Sequence, residues 1–185
     1  MSHLFTPLCL GKLELENRIV IAPMCQYSAD NGKATAWHDM HLGNLAQSGA
    51  GLLIIEASAI EPEGRITYGD LGLWDDETEA ALGKTLAAVR SHSDMPIAIQ
   101  LAHAGRKASC EKPWDGGGAI EPDHENGWQV VAPSAVPFRA GDPEPEALNT
   151  SRIREIIQGF ADAAKRADRL GLDAIEIHGA HGDLL

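Results

Sequence analysis

The sequence predicts an α/β protein built on a parallel sheet. Four short runs rich in Ile, Leu and Val recur along the chain, at 18–22, 51–57, 95–101 and 174–178. They are almost continuously apolar rather than alternating, which marks strands buried on both faces. Helical patterns follow the first two runs and precede the last. That β-α-β-α alternation yields either a doubly wound sheet or half of an eight-stranded barrel.

Each element has a local reason. Phe5 to Asn17 reads as a short hairpin turned at Gly11-Lys12, placed to plug the bottom of a barrel. The first strand, Arg18 to Ala22, is stopped by Pro23, which cannot donate to a ladder. A helix from Trp37 to Ser48 closes at Gly49, a C-terminal cap residue. Asp76-Glu77 opens a second helix that runs to His92, with Leu82, Leu86 and Val89 on one face. Thr150 or Ser151 caps the third, Ile153 to Leu170, where Lys165, Arg166 and Arg169 come late, as the helix dipole favours. Gly171 ends it. Between Ala102 and Leu148 lies an excursion rich in Pro, Gly and Trp, including Gly116-Gly117-Gly118. It is too long for a passive connection, so it reads as a functional loop, a lid or a mobile segment.

Composition narrows the class. At 185 residues and 44% hydrophobic, the chain can bury the core of one domain. Its net charge of −12 disfavours nucleic acid and anionic membranes as partners. Cys9, Cys25 and Cys110 are odd in number and follow no zinc or disulfide spacing, which fits a reducing, cytoplasmic location. No apolar run approaches the ~20 residues that span a bilayer. No basic segment followed by a long apolar one marks a secretory signal.

The residues just beyond each strand carry the chemical signal. Pro23-Met24-Cys25-Gln26-Tyr27 follows the first strand, and Glu56-Ala57-Ser58 ends the second. Gln100 closes the third, with His103-Ala104-Gly105-Arg106-Lys107 beyond it, and His178 and His181 close the fourth. Singly, each has an ordinary structural explanation, Cys25 as a small buried side chain among them. Together they converge on the end of the sheet where α/β proteins gather ligands. Two imidazoles three positions apart suit a polar oxygen or a metal. Zinc would need a third or fourth protein ligand, from Cys25 or Glu56. A Cys-His nucleophile would need a base and an orienting group that the sequence does not demand. No Gly-rich phosphate loop follows the first strand.

At these residues the chain resembles the N-terminal half of an Old Yellow Enzyme family flavoprotein, of the thermophilic-like ene-reductase and xenobiotic reductase branch. The motifs that carry the likeness are Asn17-Arg18-Ile19, Ala22-Pro23-Met24-Cys25-Gln26-Tyr27, Glu56-Ala57, Pro62-Glu63-Gly64-Arg65, Gln100 to Lys107, Ala132-Pro133-Ser134 and Ile177 to Gly182. The resemblance implies a (β/α)8 TIM barrel with FMN at the carboxyl ends of its strands. It implies NAD(P)H as reductant and an activated alkene, such as an enone, as substrate. Ala22, Pro23, Met24 and Cys25 would line the isoalloxazine, with the Cys25 thiol near N5. Ala57 and Gln100 would bond its pyrimidine side. His178 and His181 would donate to the substrate oxygen, and Tyr27 would help hold it.

Two departures shape the expectation. The family commonly has a proton-donating tyrosine two residues after the second histidine, where this chain has Asp183. A tyrosine is protonated at neutral pH and an unperturbed aspartate, at ~3.9, is not, so protonation by water or slow turnover is expected. In addition, the chain supplies four of eight strands, and the resemblance puts the flavin phosphate site after the seventh and eighth. The sequence therefore predicts a half-barrel with open strand edges and an apolar inner face, weak or inactive alone. It would be completed by a second copy or a complementing C-terminal half. A non-enzymatic, self-associating half-barrel is the alternative, and a zinc-dependent barrel enzyme the third reading.

Overall fold

The computed structural model describes residues 2–185. Strands β1 (Leu8–Leu10) and β2 (Leu13–Leu15) pair antiparallel as the expected hairpin, with Gly11 at φ +61° in the turn. β3 (Val20–Ile21) is shorter than the apolar run around it. Before it, the Arg18 N–H donates to the Leu4 carbonyl instead of a ladder, and after it Pro23 intervenes. Helix α1 (Ala36–Ala46) begins at Thr35, whose side chain forms a capping box with His38. β4 (Leu52–Ala59) and β5 (Ile97–Ala102) flank α2 (Asp76–Arg90), which is capped by Asp75 and Thr78.

The excursion is structured. It contains two single-turn 3-10 segments, Gly105–Lys107 and Pro113–Asp115, and a parallel pair, β6 (Val131–Ala132) with β7 (Glu146–Ala147). Ala104, Ala108 and Val130 form its small core with Ile66 and Trp128, and the Trp128 indole donates to the Glu63 carbonyl at 3.0 Å. The final helix, α3 (Thr150–Arg169), is capped by Asn149, not by Thr150 or Ser151 as expected. The Asn149 side chain reaches the Arg152 N–H at 3.0 Å, and the two hydroxyl residues fall inside the first turn. β8 (Ala174–Ile177) completes the order β3-β4-β5-β8, all parallel.

Two features decide between the architectures left open by the sequence. Neighbouring strands follow one another in sequence with no switch point, and all three helices bury into one face. On that face Leu53, Ile55, Ile97, Ile99 and Leu101 pack against Leu42 of α1, Leu82, Leu86 and Val89 of α2, and Ile156, Ala163 and Ala167 of α3. A doubly wound sheet would carry helices on both faces. This is one half of a barrel.

The opposite face differs from expectation. The hairpin covers its lower end, where fully buried Leu15 packs on Leu52, Ala98 and Ala174. Above that layer the same face carries Gln100 and Glu176, register partners on β5 and β8. The inner face is therefore small and polar toward its top rather than apolar throughout. The apolar surface left open lies outside, on Ile175 and Ile177 of β8 and Ile153 and Ile157 of α3, 39–62% exposed. Among the described residues no helix is long and apolar enough to cross a membrane.

Candidate active site at the carboxyl ends of the strands

The loop after β3 is fixed by a buried acid. The Gln26 N–H donates to Glu56 Oε2 at 2.8 Å, and Glu56 is 4% exposed. Its other oxygen lies 3.3 Å from Nε2 of fully buried His38, near but out of line for a hydrogen bond. His38 Nδ1 accepts from the Thr35 N–H at 2.9 Å, so the ring proton sits on Nε2, facing the carboxylate. Trp37 adds an indole N–H to the Gln26 side chain at 3.1 Å.

This anchoring presents Cys25 and Tyr27. Burial, followed by the charges of Asp70 and Glu56, pushes the Cys25 thiol far above its usual range, and the backbone N–H groups of Ala57 and Cys25 do not offset them. Cys25 is thus a thiol at neutral pH, not a reactive thiolate. Iodoacetamide at pH 8 is expected to label Cys25 at least ~10-fold more slowly than exposed Cys9; peptide mapping by mass spectrometry against time checks this, and equal rates would show an accessible thiolate. Burial also raises the Tyr27 phenol, to about 12, so it stays a hydrogen-bond donor. Tyr27 adopts φ +51°, a conformation uncommon for a side chain of its size, and meets Trp114 edge-on at 5.8 Å.

The ends of β4 and β5 supply a second wall. The β4–β5 register shifts between Ile55 and Ser58, which takes Glu56 and Ala57 out of regular pairing at the top of the strand. Buried Gln100 donates its side-chain amide to Glu176, its register partner on β8.

Beyond β8 the chain folds back sharply. His181 (φ +63°) and Gly182 (φ +67°) are both left-handed, and the imidazoles of His178 and His181 stand 5.0 Å apart at 64°. The turn is pinned from the loop after β5. The Leu184 N–H donates to the His103 carbonyl at 3.1 Å, and Lys107 donates to the His181 carbonyl. Asp183, whose side chain is 8% exposed, lies with Oδ1 3.4 Å from Lys107 Nζ and Oδ2 3.3 Å from His178 Nε2. It partners two donors here and is not presented as a free acid. A cavity of about 510 Å³ lies among the loops beyond the strand ends, lined by Tyr27, Lys107, Cys110 and Phe138 among others.

The structure thus brings His178, His181 and Asp183 into one cluster. It sets Ala22 to Tyr27, Ala57 and Gln100 on the neighbouring strand ends. Among the described residues no group of three or more His, Cys, Asp or Glu side chains is placed to hold a metal ion. Sequence reasoning missed the scaffold. His103 Nε2 meets Glu61 Oε1 at 2.8 Å, and Arg152 donates to the same oxygen at 2.5 Å. This clamp joins the exit of β4, the loop after β5 and the first turn of α3. His103 and Lys107 stood in a quoted motif, but nothing in the letters pairs Glu61 with Arg152.

Comparison with known proteins agrees with this architecture. The profile of the NADH:flavin oxidoreductase / NADH oxidase family matches residues 3–185. NADH:flavin oxidoreductase FG08077 of Gibberella zeae is 46% identical over 100% of this chain and 45% of its own length. NADPH dehydrogenase of Bacillus cytotoxicus is 42% identical over 100% of this chain and 49% of its own. The chain therefore spans about half the length of these curated relatives. Among solved structures, morphinone reductase in complex with tetrahydroNAD superposes with a TM-score of 0.81 at 33% identity, covering 100% of this chain and 51% of that one. Old Yellow Enzyme from Pichia sp. AKU4542 gives 0.81 at 27% identity, over 99% and 47%. The half-barrel, its strand-end motifs and these matches together establish that the chain belongs to the NADH:flavin oxidoreductase / NADH oxidase family.

Proposed function

We propose that this chain forms the flavin-wall and substrate-oxygen half of a cytoplasmic FMN-dependent NAD(P)H oxidoreductase that reduces activated C=C bonds such as those of enones. The observation that carries the reading is the imidazole pair, held 5.0 Å apart beyond β8 by a backbone bent through two left-handed residues. Strain of this kind, kept at a strand end, is characteristic of functional sites.

The residues fit an isoalloxazine. Ala22 and Ala57 are small, Ala22 is exposed, and Gln100 brings a carboxamide to the carboxyl end of β5. Ala22, Pro23, Met24 and Cys25 would form the wall along the ring, and Ala57 and Gln100 would meet its pyrimidine side. Bound FMN would supply the hydride chemistry, with NAD(P)H as reductant and the β-carbon of the alkene as acceptor. The protein's part is electrostatic. His178 and His181 donate hydrogen bonds to a carbonyl oxygen that gains negative charge in the transition state. Tyr27, protonated across the physiological range, adds a third donor beside the cavity. Asp183 is held by Lys107 and His178, so the proton for the α-carbon comes from water. The phosphate of FMN would be held by a partner, either a complementing C-terminal half or a second copy of the chain.

The test is a titration of FMN into the purified chain, followed by flavin fluorescence with mass in solution recorded alongside, then NAD(P)H oxidation with and without cyclohexenone. Saturable binding with enone-dependent oxidation is expected of an assembled site. His178→Ala should then lower turnover by roughly 10²–10³-fold, as removal of an oxyanion donor does. Absent flavin binding, or turnover unchanged by His178→Ala, would refute the reading for this chain.

A further inference from the structure

Asp183 sits where a substrate oxygen would have to arrive. The turn through His181 and Gly182 carries its carboxylate back beneath the His178 ring, with Oδ2 3.3 Å from Nε2. The Asp183 side chain is 8% exposed and that of His178 13%, so this contact is largely shielded from water. The other carboxylate oxygen has its own partner, Lys107 Nζ at 3.4 Å, and Lys107 is fixed to the same turn by its bond to the His181 carbonyl. His181, by contrast, is exposed, and its ring touches His178 only edge-on.

We propose that Asp183 is a specificity-determining residue that occupies the His178 donor until a substrate oxygen displaces it. The inference rests on the reading of His178 as a substrate-oxygen donor. Two partners make the exchange feasible. When Oδ2 leaves His178, Oδ1 keeps its pairing with Lys107, so the carboxylate is never left buried and unpaired, the outcome that makes such movements costly. The consequence is selection by charge. A neutral carbonyl oxygen, as in an enone or enal, takes the His178 donor beside a carboxylate without repulsion. A ligand that carries negative charge on that oxygen, such as a phenolate or a carboxylate, meets like charge in a site of limited water and is disfavoured. A tyrosine at this position would supply a neutral hydroxyl and impose no such discrimination.

Modification of the imidazoles by diethylpyrocarbonate, read residue by residue by mass spectrometry on the 185-residue chain, tests the contact without flavin or substrate. His178 should react more slowly than His181 in the wild-type chain. Asp183→Ala should accelerate His178 by about two- to fivefold, the weight of an ion pair without hydrogen-bond geometry, while the rates of His92 and His124 stay fixed. Asp183→Asn, which keeps the shape but removes the charge, should also accelerate His178, by about twofold, and serves if the alanine variant does not fold; an unchanged His178 rate there would equally overturn the proposal. A His178 rate unchanged in Asp183→Ala, or accelerated equally with His92 and His124, would overturn the proposal. Because the readout needs no FMN, its failure is distinct from failure of the flavin titration.

Discussion

Glu56→Leu is expected to destabilise the fold by about 2–5 kcal/mol, the cost of leaving two shielded donors without an acceptor at about 1–3 kcal/mol each. That is a large part of the roughly 5–15 kcal/mol that holds a domain together. The carboxylate does two things at once: it accepts from the Gln26 N–H and faces the proton on His38 Nε2. A leucine leaves both donors buried without an acceptor. Glu56→Gln is no simple rescue. Its carbonyl can serve Gln26, but its amide then confronts the His38 N–H, and His38 cannot surrender that proton because Nδ1 already accepts from Thr35. A cost of about 1–3 kcal/mol is expected for Gln. The combination of Glu56→Leu with His38→Leu should cost less than the two changes added, since the orphaned donor is removed with its partner. Urea unfolding at pH 7 measures all five chains, and strict additivity of the two leucine changes would show that the two side chains do not sense each other. The same change frees the loop that carries Cys25 and Tyr27, so a stability defect here would also disturb the wall proposed for the flavin.

Glu61→Ala is the second large effect, about 2–4 kcal/mol, from loss of hydrogen bonds to His103 and Arg152. Burial works to raise the Glu61 carboxyl, and the bonds from His103 and Arg152 outweigh it, holding the group below its ordinary value of 4.5. The unfolded chain therefore takes up the proton first as pH falls. The stabilisation is whole above about pH 4.5 and is lost as the pH drops through the lower value of the folded state. Urea midpoints for wild type should decline through that window more steeply than those of Glu61→Gln, and parallel declines would remove Glu61 from the acid limb. The structural consequence is local. His103 supports the Leu184 N–H through its carbonyl and accepts the Gly105 N–H at Nδ1, 3.0 Å away. Faster hydrogen exchange at Gly105 and Leu184 than at the β4 amides is the expected signature in Glu61→Ala.

Strands buried on both faces announce themselves. β5 is buried at every position and its apolar run was plain in the letters, as was the bend at Pro23. Elements held by distant pairing did not. β6 and β7 have two residues each and exist only because segments some fifteen positions apart meet. The cap of α3 was misplaced by one or two residues because Asn149, Thr150 and Ser151 are all capable caps, and only geometry shows which side chain reaches Arg152. The inner face was expected to be apolar on the analogy of a core. Its pattern of Ala98, Gln100, Ala174 and Glu176 was in fact written in alternate positions of two strands, with the helix-facing isoleucines between them. The strand-end motifs of the site were legible as letters, whereas their supports were not. His38 lies 18 residues from Glu56 and Arg152 lies 91 from Glu61, and no local pattern links either pair.

The strand order also sets a rule of symmetry. β3 and β8 are the two edges of a sheet whose strands all run the same way. A second copy related by a twofold axis along the barrel axis brings β8 of each copy beside β3 of the other with directions matched, so two such halves close a ring of eight parallel strands. A twofold across that axis would set the edges head to tail and match the wrong hydrogen-bond pattern for a parallel barrel. One rotation therefore separates closure from mispairing, and it is fixed by chain direction before any side chain is consulted.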